Sequence, residues 1–345
     1  MQLSIVDLSP RPPGGSAADA YANSVDLAQH AERLGYRRYW VAEHHGNGAA
    51  VAGVAPEVLT ARIAAATSSL RVGSAAVLLD YNAPLRTVET FQALEAMFPG
   101  RVDLGLGRAR SMPVVDAALR PERAQEHDDP LGGLAQWMEH DDRLSEVIDW
   151  LDGRFRPTDP RAAVRLVEGR PELWLHGSSL TSALTAARLG LRYGYAGFFN
   201  PEMATACLTS YRTAFRPSSS PSGVERPWAA LAVNVCCADD DDAADRLRAS
   251  VEVFYRDGGD AGHRPLLPAD DALRELGGVV PASPAHLAGG PARIRATLER
   301  AMAETEADEL VVQDLIADHH DRVRSYELLA EVFAMVPSTT GFART

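Results

Sequence analysis

Short apolar runs of strand length recur along the chain, each followed by an amphipathic pattern of helical period. Few ways of burying such a chain exist. The runs fall at 3–7, 38–43, 70–78, 101–106, 172–176, 192–197, 229–236 and 309–315. Most are apolar on both faces, as expected of parallel strands covered outside by helices and inside by a barrel core. Strand then helix, repeated around the chain, predicts an α/β fold, a (β/α)8 TIM barrel, more readily than an open sheet. Helix signals agree with it. Ser16 is placed to cap a helix over 17–34 that stops at Gly35, Asn82 and Pro84 open another, and Ser178 or Ser179 opens a third. The acidic run 239–242 reads as a helix start.

No linker divides residues 1–345, so one domain is expected, with two rim insertions at about 110–140 and 256–290. Both follow strands, on the side where barrel loops build active sites, and read as lids or pocket walls. The tail 337–345 is expected to be loose. A net charge of −13 argues against nucleic acid or an anionic membrane as partner. All 34 basic residues are Arg, and the absence of Lys removes Schiff-base and Walker-type chemistry. Cys207, Cys236 and Cys237 have no disulfide or zinc spacing, and no run approaches a membrane span; a cytoplasmic protein is expected.

Three segments place chemistry at strand ends. The first closes on Glu43, His44 and His45, a carboxylate with two imidazoles. The second, Gly105-Leu106-Gly107-Arg108, joins small residues that admit a ligand to a guanidinium that can grip phosphate or carboxylate. It is not a dinucleotide fingerprint, because Arg110 stands where the third glycine belongs. The third runs from His176 through Gly177 to Ser178, Ser179 and Ser182, hydroxyls at a helix start that suit a phosphate. His176 is assigned to the core. A metal-dependent hydrolase using His44, His45, His319 and His320 is the reading from another class, weakened because the first strand ends Val6-Asp7-Leu8 without the expected His pair.

Taken together, Ala42-Glu43-His44-His45, the run 72–79, the helix start 83–89, the run 99–108 and Gly177-Ser178-Ser179 resemble the bacterial-luciferase-like flavin monooxygenases. Residues 311–314 and 324–330 extend the likeness over about 3–335. Within that family the chain is similar to small single-chain members of actinobacterial antibiotic pathways. The resemblance implies reduced FMN in the barrel mouth, delivered by a separate flavin reductase, and transfer of one oxygen atom through a flavin C4a-peroxide to a small-molecule substrate such as a polyketide intermediate. It implies a homodimer. Among site residues it implies His44 as catalytic group, Arg108, Ser178, Ser179 and Ser182 as phosphate ligands, and a non-proline cis peptide in Ser74-Ala75-Ala76 under the flavin. Ala75, Ala76 and Gly107 then belong to the cofactor site. Glu43 is expected either to orient His44 or to pack, with His45 structural. Trp40, Tyr81, Phe198 and Phe199 are candidates for a dry lining. An F420-dependent oxidoreductase and a non-catalytic flavin binder share the fold and remain the alternatives. The stretch Ala109-Arg110-Ser111-Met112-Pro113 departs from the family's usual turn, which points to a different acceptor pocket.

Overall fold

The computed structural model describes residues 1–108, 113–120, 132–259 and 264–336. Ten strands are present among them: β1 (Leu3–Asp7), β2 (Arg38–Val41), β3 (Arg71–Ser74), β4 (Val77–Leu78), β5 (Val102–Gly107), β6 (Glu172–Gly177), β7 (Arg192–Ala196), β8 (Ala229–Cys237), β9 (His286–Gly289) and β10 (Glu309–Gln313). All strand pairings are parallel. They run β10-β1-β2-β3-β5-β6-β7-β8, and β10 also pairs with β8, closing an eight-stranded (β/α)8 barrel. The eight expected strands are the eight staves.

Three local expectations change. The run 70–78 is not one strand: it breaks at Ser74 and resumes as β4, which pairs with β5, and the Ala75–Ala76 peptide between them is cis. Insertion 256–290 supplies the helix Ala269–Glu275 and β9, which extends the sheet beside residues 234–237 of β8. Insertion 110–140 contains the helix Pro113–Leu119 and the start of Gly132–Asp152; its residues 109–112 and 121–131 lie outside the described residues, as does the tail 337–345. Among the described residues no helix is long and apolar enough to cross a membrane.

Helix boundaries follow local chemistry. Ser16 caps Ala17–Leu34 in a reciprocal box with Asp19, and Gly35 ends it at φ 87°. Asp240 caps Asp241–Arg256. The helix Pro84–Met97 starts on proline with no side-chain cap, because its N-cap residue is Ala83.

Alternation along the strands sorts the core into two layers. Leu3, Ile5, Tyr39, Val41, Leu104, Leu173 and Leu175 pack outward against the helices. Val6, Trp40, Trp174, Ala230, Cys236 and Val311 pack inside the barrel. The N-terminal end of the barrel is plugged by charge. Buried Arg38 bonds Asp103 (2.7 Å) and Glu309 (3.1 Å), Arg71 bonds the other Asp103 oxygen (3.0 Å), and Trp40 donates its indole N–H to Asp103 (2.8 Å). Trp40 and Trp174, with ring centroids 5.0 Å apart, form the next layer above. Among the described residues these side chains fill the inside of that half, which points to the other end for a site.

Candidate active site

At the C-terminal end the inward side chains become small. Ala75, Ala196 and Ala232 are only half-buried although they line the barrel, so solvent enters the mouth as far as their level. His176 shares that level, also half-buried. Its imidazole occupies the room left by two glycines: a Cβ on Gly105 would lie 2.5 Å from Nε2, and one on Gly194 would lie 2.7 Å from Cε1. The edge of Trp40 meets it at 5.0 Å and Trp174 stacks parallel at 6.2 Å. Burial pushes this imidazole down to about 4, against the upward pull of the Asp103 carboxylate, so the ring is neutral at physiological pH. The core assignment of His176 is therefore half of the truth: its ring rests on core and forms the floor of the mouth.

The Glu43-His44-His45 triplet divides its work. The carboxylate of Glu43, 7% exposed, accepts from the Leu78 backbone N–H (2.8 Å), the Asn82 amide (3.1 Å) and His45 Nε2 (2.8 Å). Those bonds tie the end of β2 to β4, just past the cis peptide, and to the start of the next helix. His45 also sets its ring edge-on to Tyr81 at 5.7 Å. His44, half-buried, is anchored through its backbone N–H to the Gly53 carbonyl at 2.7 Å. It lies two residues beyond Ala42, which belongs to the interior cluster. Asn82 is the partner that sequence reasoning read only as a helix signal.

On the neighbouring strands, β4 pairs Leu78 with Gly107, and a Cβ on Gly107 would stand 2.8 Å from that of Ala76. Arg108 follows at once, exposed. Continuing the β5–β6 register from Leu106 and Leu175 sets Arg108 beside Gly177, next to the serines. Ser179 caps the helix Leu180–Leu189: it accepts from the Ser182 N–H (3.2 Å), and Ser182 Oγ accepts from the Ser179 N–H (3.3 Å). Ser182 is buried and also donates to the Ser179 carbonyl (2.8 Å) and meets the Tyr193 hydroxyl (2.9 Å), so it serves the cap. Ser179 is exposed and Ser178 half-buried. The cis peptide, Arg108 and the serine cap thus stand at the C-terminal ends of the neighbouring strands β3, β5 and β6, with His44 three residues past the end of β2.

This chain belongs to the luciferase-like monooxygenase family. The family model described as luciferase-like monooxygenase matches residues 1–327. A luciferase-like monooxygenase of Escherichia coli K12 is 38% identical, with 96% of each chain covered. An N-acetyl-S-alkylcysteine monooxygenase of Bacillus subtilis is 32% identical over 96% of this chain and 98% of its own. The crystal structure of apo-MsnO8 superposes with a TM-score of 0.84 at 40% identity, covering 98% of this chain and 99% of the other.

As a luciferase-like monooxygenase the chain is an oxidoreductase, and its remaining candidates sort accordingly. Trp40 is 1% exposed and lies beneath the floor, so it does not line the mouth as expected. Tyr81 is held by the Asp116 carboxylate on the helix Pro113–Leu119, and Phe198 and Phe199 meet edge to face at 4.6 Å, with Phe199 exposed. The four-imidazole metal set does not assemble. His45 serves Glu43 and His319 serves Asp26 at 2.8 Å; among the described residues the one metal-like group is Asp318, His320 and Asp321, at the exposed start of the helix His319–Val332.

Proposed function

We propose that this luciferase-like monooxygenase takes reduced FMN from a separate flavin reductase, holds it in the barrel mouth and inserts one atom of O2 into a small organic molecule. A secondary-metabolite intermediate such as a polyketide is the substrate class we favour, and the working form is a cytoplasmic homodimer. The observation that carries the reading is the convergence of Arg108 and the Ser178–Ser179 helix start beside the Ala75–Ala76 ledge. Backbone donors at a helix start and a forked cation form a seat for a phosphate monoester. Small residues beside it, Gly107 and Ala76, leave a flat slot in which a Cβ on Gly107 would already crowd its neighbour.

Reduced FMN supplies the two electrons that let one oxygen atom enter the substrate while the other leaves as water. The chain's own residues do the rest. Arg108, Ser178 and Ser179 hold the phosphate, with Ser182 locking the cap. Glu43, through Leu78 and Asn82, fixes the ledge against which the ring system lies. His44 moves the proton on the reacting oxygen, the task for which imidazole is the usual side chain. The Trp40–Trp174 layer and the charge plug close the far end to water.

The test is incubation of the enzyme with FMN, NADH, a flavin reductase and 18O2, offering polyketide, aldehyde and N-acetyl-S-alkylcysteine acceptors. Mass spectrometry should find one labelled oxygen atom in a product. Turnover with reduced F420 and no label would replace the reading by hydride transfer, and tight FMN binding with no product from any acceptor would replace it by a binding role.

A further inference from the structure

The floor of the mouth carries a group that stability does not explain. Leucine in place of His176 would fill the same room between Gly105 and Gly194, against Trp40 and Trp174, without a buried polar atom. Instead the chain keeps an imidazole whose Nε2 is buried and takes no hydrogen bond among the described residues. An unpaired buried nitrogen is unfavourable unless something that binds there completes it.

Its position says what that partner is. His176 lies on β6 two residues before Ser178, which places it about 6.6 Å along the strand below the phosphate seat, on the inner face. A phosphate monoester held at Arg108 and the serines extends its organic part past this level before reaching the ledge at Ala75 and Ala76. In FMN the part next to the phosphate is the ribityl chain, which carries hydroxyls. A ring that is uncharged offers one N–H and one lone pair, and a hydroxyl, being both donor and acceptor, matches either tautomer. A carboxylate or second phosphate at this depth would call for a cation instead.

Resting on the FMN reading above, we propose that the imidazole of His176 hydrogen-bonds a ribityl hydroxyl of the bound cofactor and so sets how deep the ring system enters the barrel. His176 is then a cofactor-binding residue of this chain, distinct from His44 in place and task.

The experiment is a binding cycle on the purified full chain, read by quenching of flavin fluorescence, with FMN and its 2′-deoxy, 3′-deoxy and 4′-deoxy analogues as probes. The wild type should bind one deoxy analogue about tenfold more weakly than FMN, the scale of one hydrogen bond. His176→Leu should bind FMN about tenfold more weakly and no longer distinguish FMN from that analogue. His176→Gln, which keeps a donor and an acceptor, should recover part of both. The Leu variant should melt no lower than the wild type, because it removes an unpaired buried nitrogen. The inference is overturned if His176→Leu binds FMN like the wild type, if it discriminates among the four flavins as the wild type does, or if the wild type binds all four alike. A wild type that binds none of them overturns the FMN reading as well, so the two failures are told apart.

Discussion

At the N-terminal end of the barrel Arg38, Asp103, Glu309, Arg71 and Trp40 bond one another inside the wall. At the C-terminal end His176 Nε2, both amide atoms of Asn234 and Oε1 of Gln313 are buried with no hydrogen bond among the described residues. The same eight strands carry both arrangements. Pairing of buried charge in one half and unpaired polar atoms beside alanines and glycines in the other is what separates a part that holds the barrel closed from a part built to receive something.

The largest expected effect breaks the paired end. Arg38→Met takes the bonded guanidinium from buried Glu309 and leaves Asp103 to Arg71, so unfolding free energy should fall by about 3–5 kcal/mol in urea titrations, the scale of breaking a buried ion pair by removing one partner. A fall below about 1 kcal/mol would show that the plug is not a stability element. The pH response follows. Burial pushes the Asp103 carboxyl up, but the Arg38 and Arg71 guanidiniums outweigh it and hold the group below its ordinary range. A carboxyl lowered in the folded state contributes stability that is fully present above its unfolded value, about 3.9, and is lost as pH falls through the folded one. Wild-type urea midpoints should therefore drop as pH falls below about 4, and Asp103→Asn, weaker at neutral pH, should drop less over that interval.

The next effect sharpens the receiving end. His44→Ala should keep FMN binding and lose about 10²-fold in oxygen transfer, measured as labelled product per minute. Arg108→Ala should instead weaken FMN about tenfold, the scale of one charge-assisted hydrogen bond, while leaving riboflavin affinity unchanged because riboflavin lacks the phosphate. Equal loss for both flavins would move the phosphate seat away from Arg108.

The two halves were unequally legible in the sequence. Staves and caps announce themselves through period and local chemistry, which is why Ser16, Gly35, Ser179 and Asp240 stand where expected. The break in the third stave does not: residues 70–78 read as one strand by period, and the pairing of β4 with Leu106 and Gly107 shows that the chain restarts after Ala75–Ala76, where the family resemblance alone pointed to a cis peptide. The Glu43 carboxylate illustrates the same limit. Its partners Leu78 and Asn82 are more than thirty residues away, so nothing local tells that it fastens a neighbouring strand. Trp40 was misplaced because an aromatic at a strand's inner face is equally consistent with floor and lining until the layer is known. For His176 the readable signal was parity with Trp174, two residues before it on the same strand, which fixes the inner face and leaves depth open.

The smallest effect tests whether the serine cap belongs to the fold, to the ligand, or to both. Ser179 accepts from the Ser182 N–H, so Ser179→Ala should cost about 1 kcal/mol of stability through the cap alone. Aspartate caps as well as serine, and Ser179→Asp should therefore restore the melting temperature. It also sets a carboxylate where the phosphate of FMN is proposed to rest, beside Arg108, so it should bind FMN more weakly than Ser179→Ala does while binding riboflavin equally well. A cap that served only the helix would leave FMN affinity in the Asp variant at the wild-type level. In that outcome Arg108 and Ser178 would anchor the phosphate without Ser179, and the Ser179–Ser182 box would belong to the stable half.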